Sequence, residues 1–141
     1  MMKIKRINAE DTWGIRLEVM WPNMPLDFVK MESDHEAFHY GLFIDDKLVS
    51  IVSLFVSGET AQFRKFATLS NYQGKGYGYA LLNYILKSAE EIGVETVWCN
   101  ARKTKSDFYK KFGMEKTNKH FVREGIEYVI MECKLHKRCK I

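Results

Sequence analysis

The spacing of hydrophobic and polar residues changes several times along the chain, and each change marks an element. Lys3–Ile7 reads as a short strand. Asp11 or Thr12 would cap a helix carrying Trp13, Ile15, Leu17, Val19 and Met20, and the prolines of WPNMP, Pro22 and Pro25, would end it. Leu26–Glu32 suits a second short helix. His39–Ile44 leads through an Asp45-Asp46 turn into Leu48–Val56 (LVSIVSLFV), which is almost wholly apolar and so expected to be covered on both faces. After the turn residues Ser57-Gly58-Glu59, Ala61–Leu69 (AQFRKFATL) alternates more visibly. Tyr77, Ala80, Leu81, Tyr84, Ile85, Ala89 and Ile92 then recur at helical steps, with Gly93 where the helix should close. Val94–Cys99 is a strand. Thr104-x-x-Asp107 resembles a capping box opening a short helix to Phe112, stopped by Gly113, and the strands Glu115–Val122 and Ile126–Leu135 follow. The strand–helix–strand unit from Ala61 to Asn100 would be parallel and right-handed within an otherwise antiparallel sheet. The fold class is α+β with a mixed sheet.

Length and composition narrow the class. The 141 residues suit one domain, for which about 100–150 is the common size, and no linker, repeat or low-complexity run divides them. With 46% hydrophobic and 28% charged residues the chain is an ordinary globular one. Its net charge of +4 is matched by the tail Lys134–Lys140 (KLHKRCK) alone, which fits an anionic small ligand better than nucleic acid. No stretch approaches the ~18 apolar residues of a membrane span, and the start MMKIKRINAED lacks an apolar signal core. Three cysteines cannot form a fully paired disulfide framework. Together these point to the cytoplasm, with no membrane partner. Cys133, His136 and Cys139 stand three apart, but without a fourth ligand or paired Cys-x-x-Cys units they read as strand and tail residues, and no metal is expected.

The candidate chemistry lies in Tyr72–Leu82, YQGKGYGYALL. A nucleotide-triphosphatase loop requires Gly-Lys followed by Ser or Thr, whereas Lys75 is followed by Gly76. A dinucleotide fingerprint requires a third glycine where Tyr79 stands, and an acid ending the next strand, which instead ends in Cys99-Asn100. Both fail. The remaining pattern is Q-x-x-G-x-G, met by Gln73, Gly76 and Gly78. It offers backbone N–H groups unobstructed by Cβ atoms at a helix start, where the helix dipole favours an anion such as pyrophosphate. On spacing alone, a glycine turn that merely positions the helix stays open.

With that loop, the order of elements around it and the segment Asn100–Met114 (NARKTKSDFYKKFGM), the chain resembles the GCN5-related N-acetyltransferase (GNAT) superfamily over nearly its whole length. Arg16, Trp21-Pro22, Asp34 and His39 look like one of its small bacterial branches. The resemblance implies a single GNAT-like domain over 1–141. Its sheet would have about six to seven strands, helices on both faces, and a splay between the fourth and fifth strands. It implies that acetyl-CoA is the co-substrate, with backbone amides of Gln73, Gly74, Lys75, Gly76, Tyr77 and Gly78 on the pyrophosphate. Phe66, Ala67 and Thr68 would pair with the pantetheine arm, while Asn100 and Arg102 would touch the cofactor. It further implies direct attack of a primary amine, small or peptidic, on the thioester. Strand N–H groups would stabilise the oxyanion, and Tyr109 would protonate the departing thiolate. A homodimer is compatible with the resemblance.

Departures from the family pattern leave parts open. Many relatives carry a glutamate on the strand before the loop, and here that strand reads QFRKF. The base is then a water chain or a residue of the first half, with His39, Glu36 and Asp34 as candidates. Met114 replaces the usual phenylalanine, a volume-similar swap. Cys99 lacks an adjacent histidine and reads as a buried small residue rather than a nucleophile. The missing glutamate also admits a non-catalytic acyl-CoA-binding module or sensor.

Overall fold

A computed structural model describes residues 1–135. It contains β1 (Met2–Ile7), α1 (Ala9–Ile15), β2 (Phe38–Ile44), β3 (Lys47–Ser57), β4 (Thr60–Thr68), α2 (Tyr77–Ile92), β5 (Thr96–Arg102), α3 (Ser106–Lys110), β6 (Glu115–Arg123) and β7 (Ile126–Lys134). The strands form one seven-stranded sheet in the order β1-β2-β3-β4-β5-β7-β6. The β1–β2, β2–β3, β5–β7 and β6–β7 pairs are antiparallel, and β4–β5 is parallel. The fold is the α+β mixed sheet expected. The parallel ladder is short: Thr60, Ala61 and Gln62 pair with Thr96, Val97 and Trp98. Beyond Gln62 and Trp98 the pairing stops, although β4 runs on to Thr68 and β5 to Arg102. That is the break expected between the fourth and fifth strands.

By internal contacts the chain divides into two compact units, Met1–Phe55 with Arg64–Ile85, and Val56–Phe63 with Leu86–Ile141. In the first, Leu42, Val49, Ile51, Val52 and Leu54 of the strands and Leu81, Leu82 and Ile85 of α2 are wholly inaccessible. In the second, Leu86, Ala89, Val97, Met131 and Leu135 are equally closed off, and Met114 fills its expected core position. The almost wholly apolar run of β3 lies between β2 and β4, and its residues from Val49 to Leu54, Ser50 and Ser53 included, are buried.

Several local expectations need correction. Helix α1 starts at Ala9, not after a cap at Asp11 or Thr12. Asp11 instead reaches back from inside the first turn, its Oδ2 accepting the Asn8 N–H at 2.9 Å, and Thr12 Oγ1 donates to the Ala9 carbonyl. The helix widens into a π turn over Arg16–Met20 and ends before Trp21-Pro22, as proline requires. The second short helix is two 3₁₀ turns, Leu26–Val29 and Glu32–Glu36. The Thr104–Asp107 capping box does not form. Lys103–Lys105 is a 3₁₀ turn, and Ser106 Oγ donates to the Lys103 carbonyl at the head of α3. In α2 the buried stripe includes Leu82 and Leu86, while Tyr84 and Ile92, placed on it from spacing, are 40% and 44% exposed. Aliphatic residues fill the interior side, and Tyr84 meets Tyr40 edge-on at the border of the stripe.

Candidate active site

The glycine loop and the end of β4 belong to the first unit, and the structure brings these predicted residues together. Gln73 Nε2 donates to the Thr68 carbonyl at 2.9 Å, tying the loop to the strand that precedes it. Gly74 and Gly76 adopt φ of +76° and +86°, a left-handed conformation costly for other residues, with open space where a side chain would stand. A Cβ at Gly78 would lie 3.2 Å from Phe66 Cζ and 3.7 Å from Thr68 Oγ1, so the helix start approaches the strand closely. Among the described residues no backbone acceptor takes the N–H of Gly74, Lys75, Gly76, Tyr77 or Gly78. The first helical bond in this stretch is Ala80 N–H to the Gly76 carbonyl. Five consecutive donors at the positive end of a 16-residue helix form an arrangement that favours an anion. These residues fit the pyrophosphate of acetyl-CoA.

Asn100, Arg102 and Tyr109 belong to the second unit. Asn100 and Arg102 are exposed on β5, and Tyr109, on α3, is half-buried against the rings of Phe63 and Phe108. Burial pushes the Tyr109 phenol up from its ordinary value, the neighbouring Cys99 adds to this, and Arg102 opposes it. The phenol therefore keeps its proton throughout the neutral range, as a donor must. Burial likewise pushes the Cys99 thiol up to about 12, which makes it a buried, unreactive thiol. Cys133 is buried with its Sγ facing the Phe112 carbonyl at 3.7 Å, whereas His136 and Cys139 lie outside the described residues.

Two of the three first-half base candidates, Asp34 and His39, are otherwise engaged. Asp34 is fully buried and accepts from Arg16 Nη1 (2.9 Å) and Nη2 (3.0 Å), Trp13 Nε1 (3.1 Å) and the Met31 N–H (3.0 Å). Burial pushes its carboxyl up, but the Arg16 hydrogen bonds, those from Met31 and Trp13, and the Arg16 charge together hold it below the usual carboxylate range. His39 is enclosed as well, with Nε2 2.6 Å from the Asp34 carbonyl and Nδ1 2.7 Å from Ser53 Oγ. Ser53 Oγ in turn accepts from Arg16 Nη2 at 3.1 Å. A neutral imidazole protonated on Nε2 satisfies every one of these contacts, which is a structural role. Glu36 is exposed on the surface.

Sequence reasoning passed over Lys65. It lies in the extended strand β4 with φ of +56°, a left-handed conformation rare for a lysine. Burial, then the charges of Arg64 and Arg16, pull its ammonium pKa down, with Asp34 opposing. The available signal was the pair Arg64-Lys65 interrupting an apolar strand between Phe63 and Phe66.

Known proteins resemble this chain in sequence and in fold. The family model for the acetyltransferase (GNAT) domain matches residues 24–135. The uncharacterized N-acetyltransferase YitI of Bacillus subtilis (strain 168) is 32% identical over 141 residues, covering 93% of this chain and 95% of YitI. Among solved structures, the ribosomal-protein-S18-alanine N-acetyltransferase of Escherichia coli has a similar fold, with a TM-score of 0.78 at 19% identity. The match covers 96% of this chain and 94% of that one. An acetyltransferase of Bacillus subtilis in complex with CoA matches with a TM-score of 0.74 at 17% identity, covering 95% and 99%. At such identities the two structures speak for the fold, while the family match and the curated relative speak for the class of enzyme. The chain belongs to the GNAT family of N-acetyltransferases and is an acyltransferase.

Proposed function

We propose that the protein transfers an acetyl group from acetyl-CoA to a primary amine by direct attack, using one domain that spans 1–141. The observation that carries this reading is the run of five unpartnered amides from Gly74 to Gly78 at the start of α2. They hold the pyrophosphate, and the lack of a side chain at Gly78 lets the helix start lie close to the Phe66 ring and the Thr68 hydroxyl of β4, the strand that pairs with the pantetheine arm. Acetyl-CoA supplies the activated acyl group. Backbone N–H groups of β4 stabilise the developing oxyanion, a device worth ~2.7–4 kcal/mol per donor. Asn100 and Arg102 contact the cofactor. Tyr109 holds a proton on its hydroxyl for the departing thiolate, and its raised pKa makes it a hydrogen-bond donor first and an acid second. With Asp34 and His39 engaged elsewhere, a water chain or the exposed Glu36 takes the amine proton.

Saturating acetyl-CoA tests the reading. At 100 times its dissociation constant it should stabilise the fold by ~2.7 kcal/mol, read as a rise in melting temperature. An unchanged melting temperature would sink the proposal. A second reading, a non-catalytic acyl-CoA-binding module, draws on the absence of an acid in QFRKF and on the engagement of Asp34 and His39. Free-thiol release over a panel of polyamines, amino sugars, amino acids and peptide N-termini separates the two. Tyr109→Phe should lower turnover by about 100-fold while leaving acetyl-CoA affinity near wild type. Equal loss in both would make the tyrosine structural.

A further inference from the structure

Lys65, on β4 in the first unit, differs from the lysines of the surface in being partly enclosed and in its backbone conformation. Lys65 is half-buried, and among the described residues no carboxylate forms an ion pair with its ammonium. Among the described residues Asp34 is the carboxylate whose charge is felt there, and its oxygens are already taken by Arg16, Trp13 and the Met31 amide. The neighbouring charges of Arg64 and Arg16 add repulsion, which helps lower the ammonium pKa. A partly desolvated ammonium beside two guanidinium groups calls for an anion from outside. The backbone supports this. Lys65 is held at φ of +56° inside a strand, and conformations of that kind concentrate at ligand sites, where surrounding structure holds them.

Position then says which anion. On the acetyltransferase reading, an arm anchored at Gly74–Gly78 and running back along Thr68, Ala67 and Phe66 would bring its acyl end to residue 65. The incoming amine must arrive at that same end. We propose that Lys65 receives a carboxylate of the acceptor, so that the acceptor is an amine of the amino-acid class; this rests on the acetyltransferase reading above. With Arg16 already paired to Asp34 and Arg64 set over the Phe55 ring, the Lys65 ammonium matches a monoanion better than a phosphate dianion.

The test uses the full-length protein with L-amino acids and their carboxamides as matched acceptors, and phosphoethanolamine against ethanolamine as a second pair. CoA alone is first checked by melting temperature, and its failure to bind overturns the acetyltransferase reading rather than this one. The free amino acids should then show kcat/KM at least tenfold above their carboxamides, with the difference in KM. Lys65→Met should bring that ratio to about one at unchanged CoA affinity, and Lys65→Arg should keep it. Carboxamides used equally well, a preference that survives Lys65→Met, or phosphoethanolamine favoured over every amino acid would each overturn the assignment. Where no compound is acetylated, the melting shift with L-leucine against L-leucinamide decides. A shift for leucine alone, lost in Lys65→Met, upholds it, and any other result overturns it.

Discussion

Two polar regions of the first unit behave oppositely. Around Arg16 and Asp34 the polar groups are spent on one another: both carboxylate oxygens, both Arg16 Nη atoms, both His39 ring nitrogens and the Ser53 hydroxyl have partners. The exception is Arg16 Nε. In the glycine loop five successive N–H groups have none among the described residues. Both are rich in donors, yet one is closed and the other open. A buried cluster must satisfy itself because water cannot reach it, whereas an exposed helix start can keep its donors for a ligand. Polar density therefore does not mark the site; unspent polar capacity does.

The largest effect should come from breaking the closed cluster. Arg16→Met leaves the Asp34 carboxylate buried without its cation, and should cost about 3–5 kcal/mol of stability. The unfolding midpoint in urea reads this loss, and a change below about 1 kcal/mol would show that the pair is dispensable. The open loop should show the reverse. Gly76→Gln places a side chain at φ +86° over the amides. It should weaken CoA binding at least about 100-fold, or ~2.7 kcal/mol, while lowering stability by only about 1–2 kcal/mol. Comparable losses in both would remove the distinction between the regions.

The smallest effect is the pH response of the closed cluster. Asp34 has a folded pKa below its unfolded value, so it contributes stability that is fully present above the unfolded value of ~3.9. That contribution is lost as pH falls through the depressed folded value. Melting temperature should accordingly drop as pH is taken from about 5 to about 2, and the drop should shrink in Arg16→Met, where the cation that depresses the pKa is gone. An identical acid limb in both proteins would assign the effect to other carboxylates.

Much of this was legible along the chain. The loop could be read because its requirements are local: glycine where φ is positive, a helix starting at Tyr77, and no hydroxyl after Lys75. The strand order around α2 was legible for the same reason, since turn residues and apolar runs delimit each element. The engagement of Asp34 and His39 was not. Arg16 meets Asp34 across 18 residues and Ser53 across 37, separations at which residue type says nothing about contact. The side of α2 that becomes buried depended likewise on what packs against it, so Leu82 and Leu86 went inside while Tyr84 and Ile92 did not.

By itself, then, the sequence determined the α+β order of elements, the amide-rich loop and the family to which both belong, because steric preference and hydrophobic period act over a few residues. Tertiary structure alone decided which charges are neutralised. It joined Asp34 to Arg16 and left Lys65 without a carboxylate of its own among the described residues, since pairing depends on distance through space rather than along the chain.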